Sequence, residues 1–135
     1  MRDADDGEAA EIFPIRTGQR MKRAQAGKGD MKVVLVLTTL PNRRAARQLA
    51  GIVLDEKRAA CASLMAGLES HYVWKGKREK SQEVAVLFKT TPAAQRALFD
   101  CIRAHHPYET PEILAWNADR VTSEYANWVT KAVRD

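Results

Sequence analysis

Two rhythms of apolar and polar residues divide the chain after residue 30 into seven segments. Lys32-Val33-Val34-Leu35-Val36-Leu37-Thr38 is β-branched and apolar on both faces, the pattern of a central strand buried from two sides. Pro41 and Asn42 break it, and Asn42 is placed to cap a helix. Over residues 43–57 the period changes. Ala46, Leu49, Ala50, Val53 and Leu54 share one helical face, while Arg43, Arg44 and Arg47 lie largely off it. Lys57 and Arg58 suit the C-terminal end of that helix. A second strand opens at Ala60-Cys61-Ala62-Ser63-Leu64-Met65, can bend or bulge at Gly67, and resumes through His71-Tyr72-Val73-Trp74. Lys75-Gly76-Lys77 supplies a turn, and Glu83–Lys89 completes a long antiparallel hairpin.

Thr91 and Pro92 read as the cap and first residue of a second helix running to His105. Its buried stripe is Ala94, Leu98, Cys101 and Ile102, which makes Cys101 a small core residue. Glu112–Trp116 is a short fourth strand. Thr122 or Ser123 caps a last helix carrying Tyr125, Trp128, Val129 and Ala132 at helical spacing.

The order predicts an α+β fold, a ferredoxin-like βαββαβ sandwich with an extra C-terminal helix. Both sandwich helices cover one sheet face, yet the first and third strands are apolar on both faces. The uncovered face is therefore expected to be an association surface in an obligate homo-oligomer. The alternative cover, the last helix, is too short to span a whole sheet. The hairpin is longer than such a sheet needs, so part of it is expected to reach a neighbour.

Composition narrows the function. The chain has 135 residues and a formal charge of +5, and residues 1–30 balance six basic against six acidic side chains. Residues 1–30 are polar and glycine-rich, read as a disordered extension ahead of a single domain at 31–135. No apolar run approaches membrane-spanning length, and the start has neither a secretory h-region nor transit-peptide character. Cys61 and Cys101 form no C-x-x-C pair, so a reduced, cytoplasmic protein is expected. The scattered cations carry no nucleic-acid reader motif. Without a phosphate loop, a nucleophile–base pair or paired carboxylates, an enzyme is not expected either.

The chemistry concentrates in His105-His106-Pro107-Tyr108-Glu109-Thr110-Pro111. The prolines bias His106 and Thr110 towards extended angles and end the second helix near His105. Arg58-Ala59-Ala60-Cys61, Tyr72-Val73-Trp74-Lys75-Gly76-Lys77, Leu87-Phe88-Lys89-Thr90, His106–Ile113, and Tyr125 with Trp128 together resemble the CutA divalent-cation tolerance family over about residues 32–133. That resemblance implies a ferredoxin-like subunit in a homotrimer built like the PII signalling proteins, with a role in tolerance of copper and other divalent ions. Two places depart from the family pattern. Ala62-Ser63 and Ala66-Gly67 replace Val-Asn and Pro-Gly, removing an amide, and Ala115-Trp116-Asn117 stands where Leu-Pro is common.

The ligand types available for such an ion are Cys61, His106 and Glu109, with His105 and His71 as extras. Each also has a plain structural reading: Cys61 as inert core, His106 as a packing or capping group, and His71 as surface. The competing functional reading is a signalling or scaffold trimer with a small-metabolite pocket between subunits. There Trp74, Lys89, Tyr108 and Glu109 would supply stacking, a cation, a hydroxyl and an acceptor. Trp74 and Tyr108 serve equally as interface anchors.

Overall fold

The computed structural model describes residues 32–133, so the expected disordered extension lies outside the described residues. Within them the elements are β1 (Val34–Leu40), α1 (Arg43–Asp55), β2 (Cys61–Trp74), β3 (Lys77–Thr90), α2 (Gln95–His105), β4 (Ile113–Asn117) and α3 (Ser123–Ala132). The strands form one antiparallel sheet in the order β2-β3-β1-β4, as the βαββαβ pattern predicts.

Side-chain parity along the central strands separates the two faces. Val34, Val36, Val84, Val86 and Phe88 meet Leu49 and Val53 of α1 and Leu98, Cys101 and Ile102 of α2 in one core. Phe88 is fully buried there, and burial of one such side chain contributes about 1.5–3 kcal/mol. The opposite face carries Leu35, Leu37 and Leu87, with Leu37 paired to both Leu87 and Leu114. α3 covers one end of it, where Ala126 and Val129 enclose Val33 with Tyr125 alongside. Met65, Leu114 and Trp116 remain exposed.

Several local signals hold. Asn42 Oδ1 accepts from Ala45 N at 2.8 Å, and Thr122 caps α3 through Tyr125 N at 3.3 Å. The start of α2 differs from expectation. Thr91 Oγ1 accepts from Ala94 N at 3.3 Å, which closes a turn ahead of the helix, and α2 begins at Gln95 without a side-chain cap. The hairpin is also longer than its apolar stretches. It runs unbroken from Cys61 to Thr90 around Lys75-Gly76, both with positive φ, as a two-residue turn that follows strand twist requires. The register shifts between Met65 and Leu68, where Gly67 takes φ +91, so the expected bulge is present. β1 pairs with β3 only from Val84 onwards, so Leu68–Trp74 and Lys77–Glu83 pair with each other alone and form a projecting arm.

α1 ends two residues before its expected limit. Lys57 sits at φ +57, its N–H bonds Leu54 O at 3.1 Å, and Arg58 N–H bonds Val53 O at 3.0 Å. This is a Schellman turn with lysine at the left-handed position that glycine usually fills. Replacing Lys57 by glycine is expected to stabilise the protein by about 0.5–1 kcal/mol, the left-handed penalty less the added unfolded-state entropy. Urea denaturation measures it, and a loss of stability would contradict this account of the turn.

Candidate functional site

His106 is set by what surrounds it in sequence. Pro107 forbids a further helical turn, and His106 closes α2 in an extended conformation (φ −84, ψ 136). The ring then turns back onto β1. Nε2–H reaches Thr39 O at 2.9 Å and Thr38 Oγ1 at 3.1 Å, while Nδ1 accepts from Tyr108 N at 3.2 Å. Both nitrogens are thus engaged, and the arrangement demands a neutral ring protonated on Nε2. Burial lowers the His106 pKa below its usual value, outweighing the opposing pull of the Thr39 carbonyl and Glu83.

Tyr108 packs on the same imidazole, ring centroids 5.0 Å apart, and its hydroxyl donates to Glu83 Oε2 at 2.8 Å. Burial, then the hydrogen bond and charge of Glu83, push the Tyr108 hydroxyl well above its usual pKa, so it stays a donor. Glu109 follows it, exposed at the rim. Facing this turn, the projecting arm presents Tyr72, whose hydroxyl is 2.7 Å from Ser81 Oγ, and Trp74. Between arm and turn lies a cleft of about 690 Å³, bordered by Tyr72, Trp74, Glu83, Tyr108, Glu109 and Glu112. Its size suits a small organic molecule.

A second cluster lies at the far end of the open face. Cys61 pairs across the strand with Lys89, whose Nζ lies 3.7 Å from Cys61 Sγ and donates to Ser63 Oγ. Tyr125 of α3 shares a hydrogen bond with the same thiol. Its hydroxyl is raised first by burial and then by Cys61. Tyr125 in turn stacks on Trp128, centroids 5.7 Å apart.

The expected ligand set is therefore divided within the chain. His106 and Glu109 flank Tyr108 near Thr39, which pairs with Ala85; Cys61 is beside Lys89. The strand from Ala85 to Lys89 alone spans about 13 Å. Among the described residues no group of three or more His, Cys, Asp or Glu side chains converges to hold an ion. The expected pocket set divides similarly: Trp74, Tyr108 and Glu109 line the cleft, and Lys89 belongs with Cys61. His71 is exposed, its Nε2 2.8 Å from Glu69 Oε2, and it borders the cleft. His105 Nδ1 lies 2.9 Å from Cys101 O, and Cys101 is core, as expected.

Sequence reading missed Tyr72, Glu83, Glu112 and Tyr125. Tyr72 shares strand parity with Trp74 and was within reach of a pattern argument. Glu83 was not, because its partner Tyr108 lies 25 residues away in sequence and is brought to it only by the fold.

The comparisons with known proteins agree on one family. Residues 34–132 match the sequence profile described as CutA1 divalent ion tolerance protein. A divalent-cation tolerance protein CutA of Salmonella newport (strain SL254) is 44% identical over 103 residues, covering 76% of this chain and 90% of the relative. The crystal structure of CutA1 from Oryza sativa superposes with a TM-score of 0.74 at 33% identity, covering 77% of this chain and 95% of that one. The divalent cation tolerance protein (Cut A1) from Thermus thermophilus gives 0.71 at 36% identity, with 74% and 97% covered.

Because His106 is held neutral, acid should loosen its turn. Its folded pKa lies below the unfolded value of about 6.5, so the unfolded chain binds the proton more readily as pH falls. The stabilisation is complete above that value and is lost as pH drops towards the folded pKa. Thermal melts of the wild type are expected to shift downwards below about pH 6.5, and His106→Gln should flatten that slope. Equal slopes in the two proteins would exclude His106 as the source.

Proposed function

The chain belongs to the CutA1 divalent ion tolerance family, and from that premise we propose that it serves tolerance of copper and other divalent ions as a homotrimer. The reading is that of a weak ion-binding protein of the cytoplasm rather than an enzyme. Two features support a binding role completed by assembly rather than a single-subunit chelator. The soft ligand, Cys61, and the carboxylate, Glu109, sit at opposite ends of the sheet, too far apart to share an ion within one subunit. The sheet face between them is apolar and half covered, with Met65, Leu114 and Trp116 exposed and the arm adding Tyr72 and Trp74. An apolar surface of that extent is characteristic of an association face. The observation that carries the proposal is this divided ligand set on an open face. Of the three expected ligands, Cys61 and Glu109 are the ones able to serve, because His106 would first have to give up a bond to Thr39 or Tyr108.

Both cysteines are free thiols, consistent with a reducing compartment. Among the described residues no helix is long and apolar enough to cross a membrane.

Light scattering of the full chain is expected to give the mass of three subunits; a folded monomer would overturn the assembly. Equilibrium titration with copper or zinc should show weak binding. Affinity should fall about tenfold or more in Cys61→Ser, with a smaller loss in Glu109→Gln. Unchanged affinity in both variants would remove these residues from any ion site.

A further inference from the structure

α2 ends at the His106 turn, so its start lies at the opposite end of the molecule, and another cavity opens there. It has a volume of about 560 Å³ and lies between the end of α1, the start of α2 and the end of α3. None of its lining residues belongs to the arm or to the patch of Met65, Leu114 and Trp116. The cavity is therefore apart from the surfaces expected to meet a neighbouring copy.

Its charge is positive. Lys32, Lys57 and Arg58 border it, against one carboxylate, Glu56. Glu56 is already engaged: its Oε1 lies 3.7 Å from Arg58 Nε and accepts from the Cys101 thiol at 3.8 Å. Lys32 and Lys57 make no ion pair among the described residues. The carbonyls that end α1 do not oppose an anion, because the N–H groups of Glu56, Lys57 and Arg58 bond those of Ile52, Leu54 and Val53. From the other side, α2 starts without a side-chain cap, and only the methyl groups of Ala93, Ala94 and Ala97 face the cavity there. Thr91 also lines it and is 8% exposed. Its Oγ1 accepts from Ala94 N at 3.3 Å, and among the described residues no acceptor takes its hydroxyl proton.

Lys57 adds a second kind of evidence. It holds a left-handed conformation at φ +57, where glycine would be less strained. A helix C-terminus favours a cation, yet Arg58 beside it already supplies one. Strained non-glycine residues gather at functional sites, and here the strain places an unpaired ammonium on the cavity.

We infer that this cavity binds the phosphate group of a small phosphorylated molecule. Lys32, Lys57 and Arg58 supply the charge, and the Thr91 hydroxyl supplies a further donor. A phosphate offers three acceptor oxygens and up to two charges, which suits three cations better than a single carboxylate does. The volume exceeds that of a bare phosphate and falls within the range of small-molecule sites, and Pro92 and the alanines give the organic part an apolar wall. Cys61 and Glu109 take no part, so this site and the ion-binding role stand or fall separately.

The test is calorimetric titration of the full-length protein with phenyl phosphate and, separately, with benzyl alcohol, a neutral ring of similar size. Saturable binding of phenyl phosphate is expected, at least about tenfold tighter than the alcohol. Lys57→Gly should weaken phenyl phosphate about tenfold. The same change is expected to stabilise the turn, so a raised urea midpoint alongside the lost affinity excludes unfolding as the cause. Arg43→Gln removes an equal charge at the other end of α1 and should leave the affinity unchanged. No saturable binding, equal affinity for the alcohol, wild-type affinity in Lys57→Gly, or an equal loss in Arg43→Gln would overturn the assignment. The comparison of the two ligands needs only wild-type protein. Copper affinity should be the same in Lys57→Gly and the wild type; a parallel loss would mean that the two roles share a site, contrary to this assignment.

Discussion

The pairing of β1 with β3 is the constraint from which the rest follows. Both strands alternate side chains between two faces, and both faces are apolar: Val34, Val36, Val86 and Phe88 on one, Leu35, Leu37 and Leu87 on the other. Two helices packed on a four-stranded sheet can seal only one of those faces. α3 encloses Val33 and reaches Cys61 through Tyr125, which shields one end of the second face and leaves Met65, Leu114 and Trp116 exposed on the remainder. The same register decides the reach of the hairpin. Because β1 stops pairing at Val84, everything beyond it on β2 and β3 must stand clear of the sheet as an arm.

The arm acquires a purpose from the turn opposite. Pro107 stops α2 and frees the His106 ring to bridge Thr39 and Tyr108, which pins the turn to the end of β1. Tyr108 is then carried to Glu83 at the base of the arm. A short chain of hydrogen bonds therefore runs from the central strand to the hairpin, and it relies on two groups that burial keeps uncharged. The neutral imidazole and the protonated phenol are part of the architecture, and their shifted pKa values follow from it.

Two chemically distinct places result, one at each end of the open face. Cys61, Ser63, Lys89 and Tyr125 form a compact thiol–ammonium–hydroxyl group under α3. Glu83, Glu109 and Glu112 border an aromatic cleft under the arm. Family membership connects the protein to divalent ions. The distance between these two places explains why the expected ligands gather no ion site among the described residues of one chain.

By itself the sequence determined the element order, the ferredoxin-like topology, the Asn42 and Thr122 caps, the bulge at Gly67 and the end of α2. These are decided by local sterics, side-chain period and backbone propensity within a few residues. The motifs at Cys61, Trp74 and His106–Ile113 also carried the family. Contacts between residues distant in sequence were settled only by the fold. Within one chain Lys89 faces Cys61, because strand register, not chemical affinity, assigns its neighbour. Glu83 and Tyr108 are 25 residues apart in sequence, and only the fold brings the carboxylate to the hydroxyl. His106 suggested a ligand by its type, yet the tertiary structure turned both its nitrogens inward to satisfy Thr39 and Tyr108. Residue type announces which interactions are possible; the geometry of the sheet selects which partners are near enough to make them.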